Sequence, residues 1–238
     1  MAAKKPKPSP SPELRPSVDE IIARLKKLAT KKDLEGMARY AIPSDHAFGV
    51  AMNQIQKLAK ELGKDHELAQ ELWARGFYEA RTLAGYVDEP AKVTAAQMDR
   101  WCKDFDNWAI CDTVCFALFK RVPGSWPMVK KWAARKPEFE KRGAFALLWA
   151  FAGSADDDAP FTEGLKLIEA AATDERNFVK KAVDMALRAT GKRSINLNTA
   201  AVTLAKRLAA SADPTAAWIG KHSLKELSSP AVVKRLKA

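Results

Sequence analysis

Hydrophobic residues recur along this chain with a period near 3.6, the spacing that gathers them on one side of an α-helix. The first clear stripe is Val18, Ile21, Ile22, Leu25 and Leu28 in "SVDEIIARLKKLAT". Ser17 stands where an N-cap is needed and Glu20 three residues on, the reciprocal pair of a capping box. Further helices are predicted at roughly 32–41, 48–62, 65–75, 77–87, 94–103, 107–121, 125–135, 137–152, 160–172, 176–190, 195–210 and 213–227. Turn and helix-stop residues separate them: Pro43, Gly63, Gly76, Pro90, Pro123 with Gly124, Pro137, Gly153 and Gly191. No segment alternates convincingly as a strand would, and no Asn-Gly or Asp-Gly pair marks a hairpin.

About a dozen helices of 10–16 residues with short links imply stacked antiparallel pairs, at about 30–40 residues per pair, the size of HEAT-type repeats. The expected fold is all-α: a superhelical stack of antiparallel helix pairs, a HEAT-like α-solenoid with a basic concave face. A closed helical bundle is the alternative. Stretches 107–121 and 137–152 are apolar nearly all round, as helices sandwiched between neighbours must be, and this favours the solenoid. Residues 1–16, "MAAKKPKPSPSPELRP", depart from the pattern. Such a Pro/Ser-rich tract cannot bury apolar area, so it reads as a flexible basic arm ahead of a single repeat domain at 17–238.

Composition narrows the class. Hydrophobic residues make up 47% and charged residues 29%, which suits a folded soluble protein and excludes wholesale disorder. No apolar run approaches the roughly 18 residues of a membrane span, and the N-terminus has no apolar core of a secretory signal. Cys102, Cys111 and Cys115 form an odd, tight cluster, which predicts buried free thiols in a reducing, cytoplasmic setting. The histidines, at 46, 66 and 222, stand away from them, so no zinc-ligand spacing appears and no metal is expected.

The formal net charge is +11, and it is unevenly placed. Residues 176–238 hold thirteen Lys/Arg against three acids, the arm adds +3, and the middle of the chain is −2. A segment so single-signed suits a polyanion, nucleic acid first and anionic membrane second; a solvated basic face with no partner is the plain alternative. Lys181 and Arg188 lie seven apart on one helix with Lys180 adjacent, so a row of cations can face one way.

Signatures of common enzymes are missing: there is no glycine-rich nucleotide loop, no HExxH and no nucleophile elbow. One helix stands out, "NWAICDTVCFALF" at 107–119, because Asp112 sits among the small or apolar Cys111, Thr113 and Val114. Helical spacing places Trp108, Asp112, Cys115 and Phe119 on one face, with Asn107 or Asp106 able to cap the start. Asp112 either points at solvent or a basic partner, or is buried, and a buried carboxylate must be paired or serve a purpose. Arg142, in "FEKRGAFALLWAFAG", heads a second apolar helix.

The pieces "DFDNWAICDTVC", "KRGAFALL", "NFVKKAVDMALR" and "AAWIGKHSLKEL" follow one another in an order and spacing that resemble the AlkD-like DNA alkylation repair glycosylases. Upstream, "MARYAIPSDHAFGV" and "DHELAQELWARGFYEARTLAGYV" fit the same family's opening repeats, and the likeness spans roughly residues 32–228. The resemblance implies HEAT-like repeats around double-stranded DNA with alkylated bases, and hydrolysis of the N-glycosidic bond of cationic N3- or N7-alkyl purines with the lesion left stacked. It implies a monomer, with no membrane and no small-molecule cofactor. The family's Trp-x-x-x-Asp pair falls on Trp108 and Asp112, its phosphate-contacting arginine on Arg142, and an aromatic of its first repeats on Tyr40. Its second active-site tryptophan falls on Met185, a departure that removes one aromatic wall of the substrate cleft.

This chemistry is coherent from first principles. An alkylated purine is already cationic and leaves without a strong acid, while the sugar develops oxocarbenium character that a fixed carboxylate stabilises. At about 4 Å and an effective dielectric near 20, one charge supplies about 4 kcal/mol, roughly three powers of ten in rate. An indole beside it adds about 0.5–2 kcal/mol. Arg142, Lys180, Lys181, Arg188 and Lys221 are the expected phosphate contacts, which supply affinity and register without reading sequence. Two other readings stay open: a non-catalytic binder of damaged or branched DNA, and a helical scaffold for a protein partner.

Overall fold

The computed structural model describes residues 15–236, and these form α-helices, a 3-10 turn and connecting segments, with no strand among the described residues. Residues 1–14 of the expected arm lie outside the described residues. Arg15 is described, and its guanidinium donates to Asp65 at 3.2 Å and to Glu71 at 2.8 Å. The chain organises into two compact units, residues 15–94 with 121–123, and residues 95–120 with 124–236.

The first unit holds α1 Val18–Leu28, α2 Lys31–Ala38, α3 Met52–Leu62, α4 His66–Ala74 and α5 Tyr78–Val87. The capping box of α1 forms as expected: Ser17 and Glu20 each bond the other's backbone amide. Within the unit α5 packs on both α3 and α4, and α1 on α4. Helix α3 begins at Met52 rather than near 48. The reason is Glu79, fully buried on α5, whose carboxylate accepts the amides of Phe48, Gly49 and Val50 at 2.8–3.2 Å. Gly49 holds φ at +82°, and a Cβ there would meet Leu34 at 2.6 Å, so this stretch cannot turn helical.

The second unit holds α6 Ala95–Lys103, α7 Trp108–Ala117, α8 Pro127–Ala133, α9 Glu138–Ala152, α10 Ala159–Ala170, α11 Asn177–Thr190, α12 Ile195–Ala209, α13 Pro214–Leu227 and α14 Pro230–Val233. The last, a single turn capped by Ser229, has too few residues to show a period and was not foreseen. Two layers emerge from the packing. Helices α7, α9, α11 and α13 stack in sequence as one, and α8, α10 and α12 as the other, with α8 on α9, α10 on α11 and α12 on α13 joining them. This alternation is what stacked helix pairs produce. Gly220 lets α13 press against the end of α12, because a Cβ there would lie 2.1 Å from the Ala209 amide nitrogen. An aromatic core fills the unit's start, with Trp132, Trp101 and Phe105 ringing the fully buried Phe119 at 5.8–6.5 Å. Burying each such ring contributes about 1.5–3 kcal/mol. Among the described residues no helix is long and apolar enough to cross a membrane.

Candidate functional site

Helix α7 starts because Asn107 accepts the Ile110 amide on its side chain at 3.0 Å. Asp106 holds that cap in place, accepting from Asn107 Nδ2 at 2.6 Å. The face expected to carry Trp108, Asp112, Cys115 and Phe119 divides along its length. Trp108 and Asp112 are half-buried, whereas Cys115 is fully buried and the helix ends at Ala117, leaving Phe119 in a 3-10 turn within the core. The three cysteines are buried and free. Cys111 and Cys115 turn their thiols to the Phe139 and Gly143 carbonyls of α9 at 3.9 and 3.7 Å. Burial pushes the Cys115 thiol far above its ordinary range, so it is an inert packing group.

Asp112 meets Arg142 of α9 in a two-pronged ion pair. Arg142 donates from Nε to Oδ1 at 3.0 Å and from Nη2 to Oδ2 at 2.7 Å. Its third arm, Nη1, donates to the Phe178 carbonyl at the start of α11 at 2.8 Å. One guanidinium thus ties three consecutive helices of the layer together. It is 3% exposed, while the Asp112 side chain keeps 16%. Burial raises the Asp112 carboxyl above the usual carboxylate range, against the pull of Arg142. Burial also works against the Arg142 cation, and Asp112 more than offsets it. Guanidinium N–H donors on both oxygens require the ionised carboxylate, so the pair is charged at neutral pH.

The surrounding charges also hold the frame. Glu138 of α9 accepts the Phe178 amide at 3.1 Å, acting as the N-terminal partner that α11 lacks on its own segment. Asp174 takes Arg176 and Lys141 at 2.5 and 3.1 Å.

The remaining sequence-predicted residues fall as follows. Met185, Lys180, Lys181 and Arg188 lie on α11, and Lys221 on α13, so they occupy the same layer as Trp108, Asp112 and Arg142. Lys181 and Lys221 are exposed. Arg188 is not an open cation: it donates to Asp184 at 3.0 Å and to Glu226 at 2.6 Å. Arg142, expected at a phosphate, has its whole fork engaged by Asp112 and Phe178. Tyr40 belongs to the first unit, exposed beside an open hollow it shares with Met37, Gly49, Met52 and Tyr78.

Sequence reasoning missed two features. The first is the Phe178 carbonyl as the third partner of Arg142, which no side-chain pattern encodes. The second is an aromatic pair on α13: Trp218 stacks on His222 with centroids 5.1 Å apart and planes 12° from parallel. The i, i+4 spacing of "WIGKH" was the available signal.

A family model described as DNA alkylation repair enzyme matches residues 21–226. The chain belongs to the DNA alkylation repair enzyme family. No curated protein sequence matches it. A solved structure matches this DNA alkylation repair family member at a TM-score of 0.71 and 20% identity, covering 80% of this chain and 83% of its own. That protein is described as one of a new family related to the HEAT-like repeat DNA glycosylases with affinity for branched DNA structures. At this identity the match establishes the fold: this DNA alkylation repair family member is a HEAT-like α-solenoid. Among its described residues no group of three or more His, Cys, Asp or Glu side chains is placed to hold a metal ion.

Proposed function

We propose that this DNA alkylation repair family member binds duplex DNA and hydrolyses the N-glycosidic bond of cationic N3- and N7-alkyl purines, as a cytoplasmic monomer without a cofactor. The observation that carries the reading is Asp112, one turn from Trp108, held in a single pose by Arg142 yet still partly open to solvent. A carboxylate has about four acceptor positions, and Arg142 takes two, so Asp112 retains capacity toward a sugar cation or a water.

In this reading the C1′–N bond breaks with its electron pair going to the purinium, which leaves as a neutral base. Asp112 stabilises the oxocarbenium-like sugar, and a water adds to C1′ and gives up a proton to solvent. Arg142 keeps Asp112 ionised and fixed, and weakens its field, so the gain lies below the about 4 kcal/mol of an unpaired carboxylate. Trp108 lends an electron-rich face to the same cation. Lys180, Lys181 and Lys221 hold phosphates; Arg142 and Arg188 act chiefly through their carboxylates.

The test is release of 7-methylguanine and 3-methyladenine from alkylated duplex DNA. Wild-type protein is expected to release both, and Asp112→Asn neither. Because burial holds the Asp112 carboxyl high, release is expected to fade on acidification earlier than an ordinary exposed carboxylate would dictate.

A second reading, a non-catalytic binder of damaged or branched DNA, is favoured by Met185, half-buried on α11 where the family pattern has tryptophan. Salt-sensitive DNA binding without base release selects it, and base release that rises in Met185→Trp speaks against it.

A further inference from the structure

The most unusual exposed feature of the second unit lies on α11 and α13, apart from Asp112. Trp218 is 40% exposed, although a large aromatic on a helix normally turns inward. Its indole stacks on the His222 imidazole, and the Lys180 ammonium of α11 lies over the same indole, 5.1 Å from the ring centroid. His222 is itself fixed from beneath. Its Nδ1 donates to Asp184 at 2.9 Å, and Asp184 is a buried carboxylate that also takes Ser223 Oγ at 2.9 Å and Arg188. Asp184 can only accept, so Nδ1 carries the proton and Nε2 is the ring nitrogen left for a ligand. The His222 side chain is 47% exposed. Lys221 and Lys225, also exposed, stand three and seven residues past Trp218 on α13.

We infer that this stack is a binding site for an unpaired nucleotide of a DNA strand, the base lying on the Trp218–His222 rings. An open indole with its neighbour ring locked by a buried carboxylate is a preorganised stacking surface. It costs little entropy to use, and every base has a π-face to offer it. Lys180 marks the position: a cation resting on the indole is the occupant a base displaces, and the flexible lysine then stays beside the nucleotide's phosphate. Lys221 and Lys225 provide further phosphate donors. A base inside a duplex cannot reach such a surface, so the site recognises single-stranded tails, gaps or open junctions. A protein peptide is a poorer fit, because the cations surrounding the rings match a repeating anion.

This inference rests on the DNA-binding part of the proposed function and is independent of base release. The experiment compares binding of a blunt 20-base-pair duplex with the same duplex carrying a ten-nucleotide thymine tail, in about 0.1 M salt. The tail is expected to strengthen binding to the wild type about tenfold, within the fivefold to hundredfold range that one stacked base supplies. Trp218→Ala is expected to erase that increment while leaving blunt-duplex affinity within about twofold, and Trp218→Phe to keep most of it. A 2-aminopurine in the tail reports the stacking directly, by quenching in the wild type and in Trp218→Phe only. An unchanged tail increment in Trp218→Ala overturns the inference and leaves the proposed function standing. Equal losses on blunt and tailed DNA overturn it too, since they show a structural role for Trp218. Wild-type protein that binds neither DNA overturns both.

Discussion

Two carboxylate–guanidinium pairs in one layer of helices differ in their burial and in the number of partners they take. Asp112 meets Arg142 across α7 and α9, and Asp184 meets Arg188 within α11. Asp184 is 3% exposed and saturated by Arg188, His222 and Ser223. Its charge is consumed in holding α11 to α13 and in orienting an imidazole. Asp112 is 16% exposed and takes its two bonds from Arg142. If Asp112 has the chemical role proposed for it, what separates it from Asp184 is less its pairing than its remaining acceptor capacity and its access to solvent. The arginines divide in the opposite sense. Arg142 is the buried member with all three donor arms used, and Arg188 is partly open but shared with Glu226.

The comparison breaks most readily at Asp112. Asp112→Asn leaves a 3% exposed guanidinium without its counter-charge, and the expected loss of stability is about 3–5 kcal/mol by thermal or denaturant unfolding. Replacing both partners, Asp112→Leu with Arg142→Met, should restore most of that loss, because well-packed apolar residues often match a buried pair. Base release should stay absent in the repaired double variant. Release that returned with stability would strip Asp112 of its chemical role.

A smaller effect is expected at Asp184. Asp184→Ala strands His222 and Ser223, but Glu226 still neutralises Arg188, so about 2–3 kcal/mol is expected. Base release per folded molecule should stay within about twofold of wild type. A loss as deep as that of Asp112→Asn would mean the two carboxylates are not functionally separate.

Asp174 sharpens the contrast from the weak end. Arg176 first, with Lys141 assisting against burial, holds its carboxyl down at about 2. A lowered folded value stabilises above the unfolded value of 3.8 and ceases to do so as pH falls toward 2. Asp174→Asn should therefore cost about 1 kcal/mol at neutral pH, after solvent screening. The gap to wild type should close in unfolding curves taken between pH 4 and 2. A gap constant over that range would show that the pairing contributes through packing and not charge.

Much of this architecture was legible in the apolar period. Thirteen helices lie where stripes and stop residues placed them, because amphipathic spacing and capping act within one or two turns. The start of α3 was not legible, since Glu79, some thirty residues away, takes the amides that would have opened it. At the site, the i, i+4 placement of Trp108 and Asp112 could be read directly, whereas the fate of each charge could not. Thirteen bases in the last quarter suggested an open cationic row. Arg188 and Lys192 instead converge on Glu226, and Lys180 lies on an indole.

The sequence alone determined that the chain is helical, roughly where most of its helices lie, and that Asp112 sits one turn from Trp108, because these follow from local period and propensity. The tertiary structure decided which charges remain available. It set Arg142 against Asp112 and the Phe178 carbonyl, closed Asp184 around its three partners, and left Trp218 and His222 stacked at the surface. Those outcomes depend on which helix lands beside which, and a charge's partner is chosen by distance in space, over which separation along the chain has no say.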